Sequence, residues 1–214
     1  EFLCVVNNDN VSSPLEVYRF FRELGASYIT FLPFVREDGR GSGRATPSSV
    51  RPMDFGRFLA AIFDEWIADD IGKVKVQIFE EALRTAFRQE HTLCIFKPVC
   101  GGVPVVEMNG DFYMCDHYVD PEHWLGNIAN QHLAELLDHP RQKAFGKVKR
   151  DSLPQYCLEC EVLDMCNGEW PKNRFTLAVA GAPGLNYLCE GYRHFFNHCA
   201  PFVSEVARLW GDES

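Results

Sequence analysis

The sequence lacks a run of about 18 apolar residues, the length a helix needs to cross a bilayer, and nothing in it reads as a secretory leader. It also lacks an excess of positive charge. Lysines and arginines number 21 against 30 aspartates and glutamates, a formal net charge of -9 over 214 residues. No basic run is present, so neither a nucleic-acid backbone nor an anionic membrane is an expected partner. Internal repeats and low-complexity tracts are missing too. These absences lead to the expectation of a soluble, cytoplasmic, globular chain of one large or two small domains. What the chain has instead is cysteine, nine residues in all. An oxidised secreted protein usually pairs an even number, whereas cytosolic thiols stay reduced and free to bind metal.

Read in order, FLCVV at 2–6 is a short apolar run that predicts a buried strand. Ser13-Pro14-Leu15-Glu16 carries the signature of a helix start, with Ser13 as cap and Glu16 closing a capping box. Leu15, Val17 or Tyr18, Phe21 and Leu24 supply its apolar stripe, and Gly25 its stop. SYITFLPFV at 27–35 predicts a second strand, giving the strand–helix–strand order of a parallel sheet. Residues 36–52 read as a long loop. Its Gly39-x-Gly41-x-Gly43 spacing is not the dinucleotide-binding fingerprint. From Asp54 to about Asp70, the residues Phe55, Phe58, Leu59, Ile62, Phe63, Trp66 and Ile67 predict one buried helical face. Val74, Val76 and Ile78 alternate as in a strand, and a short helix is expected at about 80–88.

The texture changes near residues 88–93, which sets the expected boundary between a unit at 1–90 and another at 91–214. VPVVEMNGDFYMC at 103–115 predicts a β-hairpin, with Asn109-Gly110 as a type I′ turn. Residues 131–138 read as a short helix and 146–156 as loop. The basic group at 141–150 reads as a solvated face. A last helix is expected from about 187 to 210, interrupted near Pro201.

Cys157 and Cys160 form a CxxC pair, and Cys166 follows six positions on. A tight turn in such a pair aims two thiolates at one point, and Cys189 is available from the last helix as a fourth. Cys94, Cys100 and Cys115 make a second group. Thiolates are soft ligands that suit zinc or iron–sulfur clusters, and spacing alone does not separate the two. Cys4, in a strand pattern, and Cys199, in a helix, read as buried small hydrophobes. Asp116, directly after Cys115, reads from the sequence either as a carboxylate capping nearby amides or as a proton acceptor. His117 beside it reads as structural.

The run from Cys94 to Cys189 resembles the twin-cluster (SPASM) domain of the radical SAM anaerobic sulfatase-maturating enzymes. The resemblance lies in C-x5-C, then NGDFYMCDHYVDPEHWLGNI, then YCLECEVLDMCNGEWPKNRF. It extends to LCVVNN, EVYRFFRELGA and YITFLPFV, which look like the later part of that family's barrel. The implied fold is α/β: a C-terminal part of a partial (β/α)6 barrel followed by a small cysteine-rich SPASM domain with a β-hairpin and helices. The implied activity is oxidation of a sulfatase cysteine or serine to formylglycine, with S-adenosylmethionine and [4Fe–4S] clusters. By that resemblance Cys94, Cys100 and Cys115 match three ligands of a first auxiliary cluster. Cys157, Cys160, Cys166 and Cys189 match all four ligands of a second, and Asp116 matches the catalytic base. The family's fourth ligand to the first cluster falls at Trp170, which has no thiolate. The strand ends at Val6 to Asn8 and Leu32 to Phe34 would border the cofactor pocket.

The family's CxxxCxxC motif, which holds the cluster that binds S-adenosylmethionine, does not occur in these 214 residues. The expectation is therefore a chain inactive by itself, whose partners are the N-terminal barrel portion and a sulfatase or other peptide substrate. Two alternatives stand beside it. One is a non-catalytic module, stabilised by zinc or a cluster, that binds a peptide or protein. The other is part of a different radical SAM peptide-modifying enzyme.

Overall fold

The computed structural model describes residues 1–39, 42–178 and 181–212. Gly41, the middle glycine of the loop at 36–52, lies outside the described residues.

Strand β1 (Phe2–Val6) leads through helix α1 (Pro14–Glu23) to β2 (Tyr28–Pro33), and β2 leads through α2 (Pro52–Asp69) to β3 (Lys75–Val76). The three strands are parallel in the order β1-β2-β3, with Phe2 opposite Ile29 and Tyr28 opposite Lys75. Cys4 and Val6 of β1 face the core, while Leu3 and Val5 lie on the other face and are exposed. Strand alternation thus sorts the run exactly as a period of two requires, one face packed and one open.

Helix α3 (Gln77–Ala86) follows β3 directly. Next come β4 (Val105–Val106), β5 (Asp111–Tyr113) and β6 (Trp124–Asn127), an antiparallel sheet in chain order. Helices α4 (Leu133–Leu137), α5 (Pro140–Asp151), α6 (Gln155–Leu158) and α7 (Leu163–Cys166) precede a small hairpin of β7 (Thr176–Leu177) and β8 (Pro183–Leu185). The long α8 (Cys189–Asp212) ends the described chain. Among the described residues, no helix is long and apolar enough to cross a membrane.

The main core is built from aromatic side chains of α2, α3 and α8. Phe63 meets Phe79 and Phe195 edge-on, and Phe79 stacks on Phe195. Glycine sets the approach of α2 to α8. A Cβ on Gly56 would stand 2.4 Å from the Gly191 carbonyl oxygen, and one on Gly191 would stand 2.0 Å from that of Pro52. Any larger side chain would force the helices apart, and Cys189 lies only two residues from this contact.

Several expectations need correction. Ser13 occupies the cap position of α1 but makes no side-chain capping bond, so the predicted capping box does not form. Of the α1 stripe, Tyr18 is fully buried and Leu24 is exposed. The alternation at 74–78 yields only a two-residue strand, because Ile78 already belongs to α3; short apolar runs do not separate the two periods. The hairpin forms, but Gly110 N–H donates to the Glu107 carbonyl and Asn109 does not adopt positive φ. The turn is therefore not type I′; Gly110, at φ 86°, alone takes the left-handed position. Residues 146–151 are helical rather than loop, since α5 runs to Asp151. Pro201 lies inside α8 without ending it. The helix is held by buried Tyr192, Phe195, Phe196, Cys199 and Val203 around that point.

Glu81 ties α3 to the cysteine-bearing segments. Its buried carboxylate accepts from the backbone amides of Thr92 and Leu93 and from the Thr92 hydroxyl. It also faces His91 Nδ1 at 2.9 Å, while His91 Nε2 lies 2.7 Å from the Asp164 carbonyl oxygen. Both partners are acceptors, so the ring donates to both only when it carries both protons. Burial raises the Glu81 pKa, but the bonds from His91, Thr92 and Leu93 outweigh it and leave the carboxyl below its ordinary value. A depressed carboxyl contributes stability above the unfolded value, about 4.3, and loses it as pH falls through the folded value. Urea titrations should show stability declining below about pH 4.3, with a shallower decline in Glu81→Gln. Equal slopes would remove Glu81 as the source.

Candidate iron–sulfur sites

The nine cysteines are all free thiols. Cys4 and Cys199 are buried in the main core and line neither cysteine pocket. The other seven are brought together as two sets.

Cys157, Cys160, Cys166 and Cys189 line one pocket, alongside Val162 and Leu163. Local hydrogen bonds explain three of them. The amide of Cys157 bonds the Pro154 carbonyl, that of Cys160 bonds Cys157, and that of Cys166 bonds Val162. Two successive helical turns thus carry three thiols to one side. Cys189 arrives at the first turn of α8, where Asn186 Oδ1 accepts from Leu188 N–H at 2.8 Å. Asn186 is fixed in turn by donating to Glu169 Oε2 at 2.6 Å. Glu169 is fully buried and also receives the Tyr192 hydroxyl at 3.4 Å. Burial raises its pKa. Asn167, Gly168 and Glu169 all have positive φ, from 46° to 70°. This left-handed run turns the chain sharply between Cys166 and Trp170 and directs the Glu169 carboxylate inward.

Cys94, Cys100 and Cys115, the first set, line a separate pocket with His117 and Trp170. One face of α5 holds all three cysteine segments. Gln142 Nε2 donates to the carbonyls of Met114, at 2.9 Å, and Gly101, at 2.7 Å. Gly146 accepts the Cys100 amide at 3.0 Å, and a Cβ there would lie 2.5 Å from the Cys100 oxygen. Lys149 Nζ donates to the carbonyls of Cys94, at 3.0 Å, and Ile95, at 2.5 Å. Positions 142, 146 and 149 follow the helical period, and all three residues are buried. Arg141, Lys143, Lys147 and Arg150 are exposed, as expected of a solvated basic face at 141–150, and Lys149, only 1% exposed, is the exception. Arg174 links the two sites. Its guanidinium donates to the Lys149 carbonyl at 2.6 Å and to the Gly168 and Asn167 carbonyls at 3.0 and 3.2 Å.

The electrostatics follow from burial. It raises the pKa of all seven thiols, to about 12 for Cys115 and Cys189. Burial lowers the pKa of Lys149 to about 8 and also lowers those of Arg174 and His117. The thiols are thus neutral at pH 7 until a metal displaces their protons. Cys115 Sγ donates to Asp116 Oδ1 at 3.3 Å, and Asp116 itself is exposed.

The donor sets are soft thiolates of the kind that suit zinc or iron–sulfur clusters. A tetrahedral zinc with bonds of about 2.3 Å needs sulfurs about 3.8 Å apart. Among the described residues, no three Cys, His, Asp or Glu side chains meet closely enough to hold one metal ion. Each set lines a pocket with about 20 Å³ of enclosed space. The second site offers four thiols. The first offers three, beside Trp170, whose buried Nε1–H has no acceptor among the described residues.

Fold and sites together define an α/β protein carrying a cysteine-rich cluster-binding module. Residues 98–161 match the SPASM family, an iron-sulfur cluster-binding domain. The serine-type anaerobic sulfatase-maturating enzyme of Bacteroides thetaiotaomicron is 44% identical over 94% of this chain and 52% of its own length. The cysteine-type enzyme of Clostridium perfringens is 28% identical over 96% of this chain and 55% of its own. A solved structure, native anSMEcpe with bound AdoMet and Kp18Cys peptide, superposes with a TM-score of 0.81 at 28% identity. It covers 97% of this chain and 57% of that one. The chain belongs to the SPASM-domain-containing radical SAM anaerobic sulfatase-maturating enzyme family. It spans about half the length of the curated relatives it matches. That family is associated with iron–sulfur clusters and AdoMet.

Lys149→Met keeps the side-chain stem and removes the ammonium that holds two buried carbonyls. A loss of about 2 kcal/mol is expected in urea unfolding of the metal-free chain. An unchanged midpoint would mean that the Cys94 segment is held by other contacts.

Proposed function

We propose that this chain supplies the two auxiliary-cluster sites of an anaerobic sulfatase maturase, an enzyme oxidising a sulfatase cysteine or serine to formylglycine. The observation that carries the reading is the meeting of Cys157, Cys160, Cys166 and Cys189 around one pocket from three separate elements. In this reading Cys94, Cys100 and Cys115 hold the first cluster and the other four hold the second, within a unit at 91–214 that follows barrel elements at 1–90. A bound cluster supplies an acceptor for the electrons released by the oxidation. Asp116 takes the proton that leaves the substrate thiol or hydroxyl. Its carboxylate is exposed to an incoming peptide and sits beside Cys115 at the edge of the first site. Peptide substrates are supported by the Kp18Cys and Cp18Cys peptides in the solved relatives. A sequence without CxxxCxxC has no thiolate set for the AdoMet cluster, so turnover requires residues beyond these 214.

Anaerobic reconstitution with iron and sulfide tests the cluster reading. About four irons per filled site are expected, with Cys157→Ala losing the second site's share and lowering the thermal midpoint. Stoichiometric zinc without sulfide would instead establish the zinc-stabilised module. In a protein that joins this chain to a CxxxCxxC-bearing segment, Asp116→Asn should slow formylglycine formation by about 100-fold or more at unchanged iron content. Turnover at the parent rate would remove Asp116 from the role of base.

A further inference from the structure

The pocket of the first site contains a fourth side chain able to bind iron. His117 lines it together with Cys94, Cys100 and Cys115. Its ring nitrogens make no hydrogen bond among the described residues, whereas His91, His123 and His198 each have a ring nitrogen against a carboxylate. The imidazole packs edge-on against Trp170, with ring centroids 4.6 Å apart and an interplanar angle of 74°. Trp170 stands where the resembling family has a cysteine, and an indole Nε1–H is a donor only. The wall of the pocket that lacks a thiolate is therefore the wall against which His117 packs.

We propose that the His117 imidazole is the fourth protein ligand of the cluster held by Cys94, Cys100 and Cys115. This assignment rests on reading that pocket as an iron–sulfur site. One ring nitrogen gives its lone pair to iron, and the other keeps its proton. The bond forms without electron transfer, displacing only a solvent ligand. Trp170 holds the ring at the wall, and its orphaned Nε1–H gains an acceptor in a cluster sulfide or thiolate. Exchanging an anionic thiolate for a neutral imidazole makes the cluster less negative, which raises its reduction potential, as histidine ligation does in Rieske centres. The four-cysteine pocket has no histidine in its lining, so a histidine-bound iron reports on the first site.

The test uses the full chain, labelled with 15N-histidine, reconstituted anaerobically with iron and sulfide and then reduced. Electron–nuclear double resonance should show the strong hyperfine coupling of a directly bound histidine nitrogen. The coupling should vanish in His117→Ala and persist in His123→Ala. In His117→Cys it should vanish while the potential of that cluster falls. Two filled sites with no histidine coupling, or coupling that survives His117→Ala, overturn the assignment and leave the two-cluster reading standing. A three-iron cluster at the first site does the same. A chain that takes up only about four irons, all at the four-cysteine pocket, overturns both.

Discussion

One polar stripe on α5 determines whether the first site exists at all. Cys94, Cys100 and Cys115 lie on separate segments with little regular structure, and loops of that kind have no ladder of their own to fix them. Gln142, Gly146 and Lys149 replace the ladder. Spaced by four and three residues, the Gln142 amide engages the backbone of the Cys115 and Cys100 segments, the Gly146 backbone that of Cys100 again, and the Lys149 ammonium that of Cys94. Because these contacts are to main chain, they fix where each thiol starts without occupying the thiol itself. Burying an ammonium costs several kcal/mol unless it is paired or hydrogen-bonded, and two carbonyls within 3.0 Å provide that compensation for Lys149.

The second site is built on a different device. Its first three cysteines are placed by short helical turns, but Cys189 comes from α8, whose position is decided by the main core. Gly56 and Gly191 let α2 and α8 approach at backbone distance, and Glu169 reaches from the Cys166 turn to Asn186 and Tyr192 on the α8 side. The carboxylate therefore bridges the two halves of the site. Arg174 extends this bridge to α5 through the Lys149 carbonyl. The supporting segments of the two pockets are thus joined by hydrogen bonds from one guanidinium to main-chain carbonyls.

Much of this was legible in the sequence wherever an apolar period was present. The strands at 2–6 and 28–33, the aromatic face of α2 and the last helix all follow from spacing, and the cysteine groups follow from soft-ligand chemistry. Helix α5 was not legible, and the reason is physical. Its buried positions are Gln142, Gly146 and Lys149, so the residues facing inward look like a surface and the helix carries no apolar stripe. Glu169 was hidden similarly, because an acidic residue beside Gly168 looks like a turn. Its burial depends on Asn186 and Tyr192, about 17 and 23 residues away in sequence. Asn109-Gly110 marked the hairpin correctly, yet four residues between the strands rather than two made another turn the better closure.

The charge balance of the two pockets explains why buried cations belong beside buried thiols. With every thiol held above its ordinary pKa, the metal-free pockets are neutral, and Lys149 and Arg174 bear the cost of burial without an opposing thiolate. Both have their pKa values lowered by burial, and thiolates would act against that lowering: Cys100 for Lys149, and Cys157, Cys100 and Cys166 for Arg174. Deprotonating the cysteines around iron reverses the account. The thiolates are then buried anions, and the two cations already stand among them, fixed by main-chain carbonyls rather than by the anions they will face. In the proposed cluster-bound state the two cations would face thiolates rather than thiols, which would couple metal uptake to the stability of both segments.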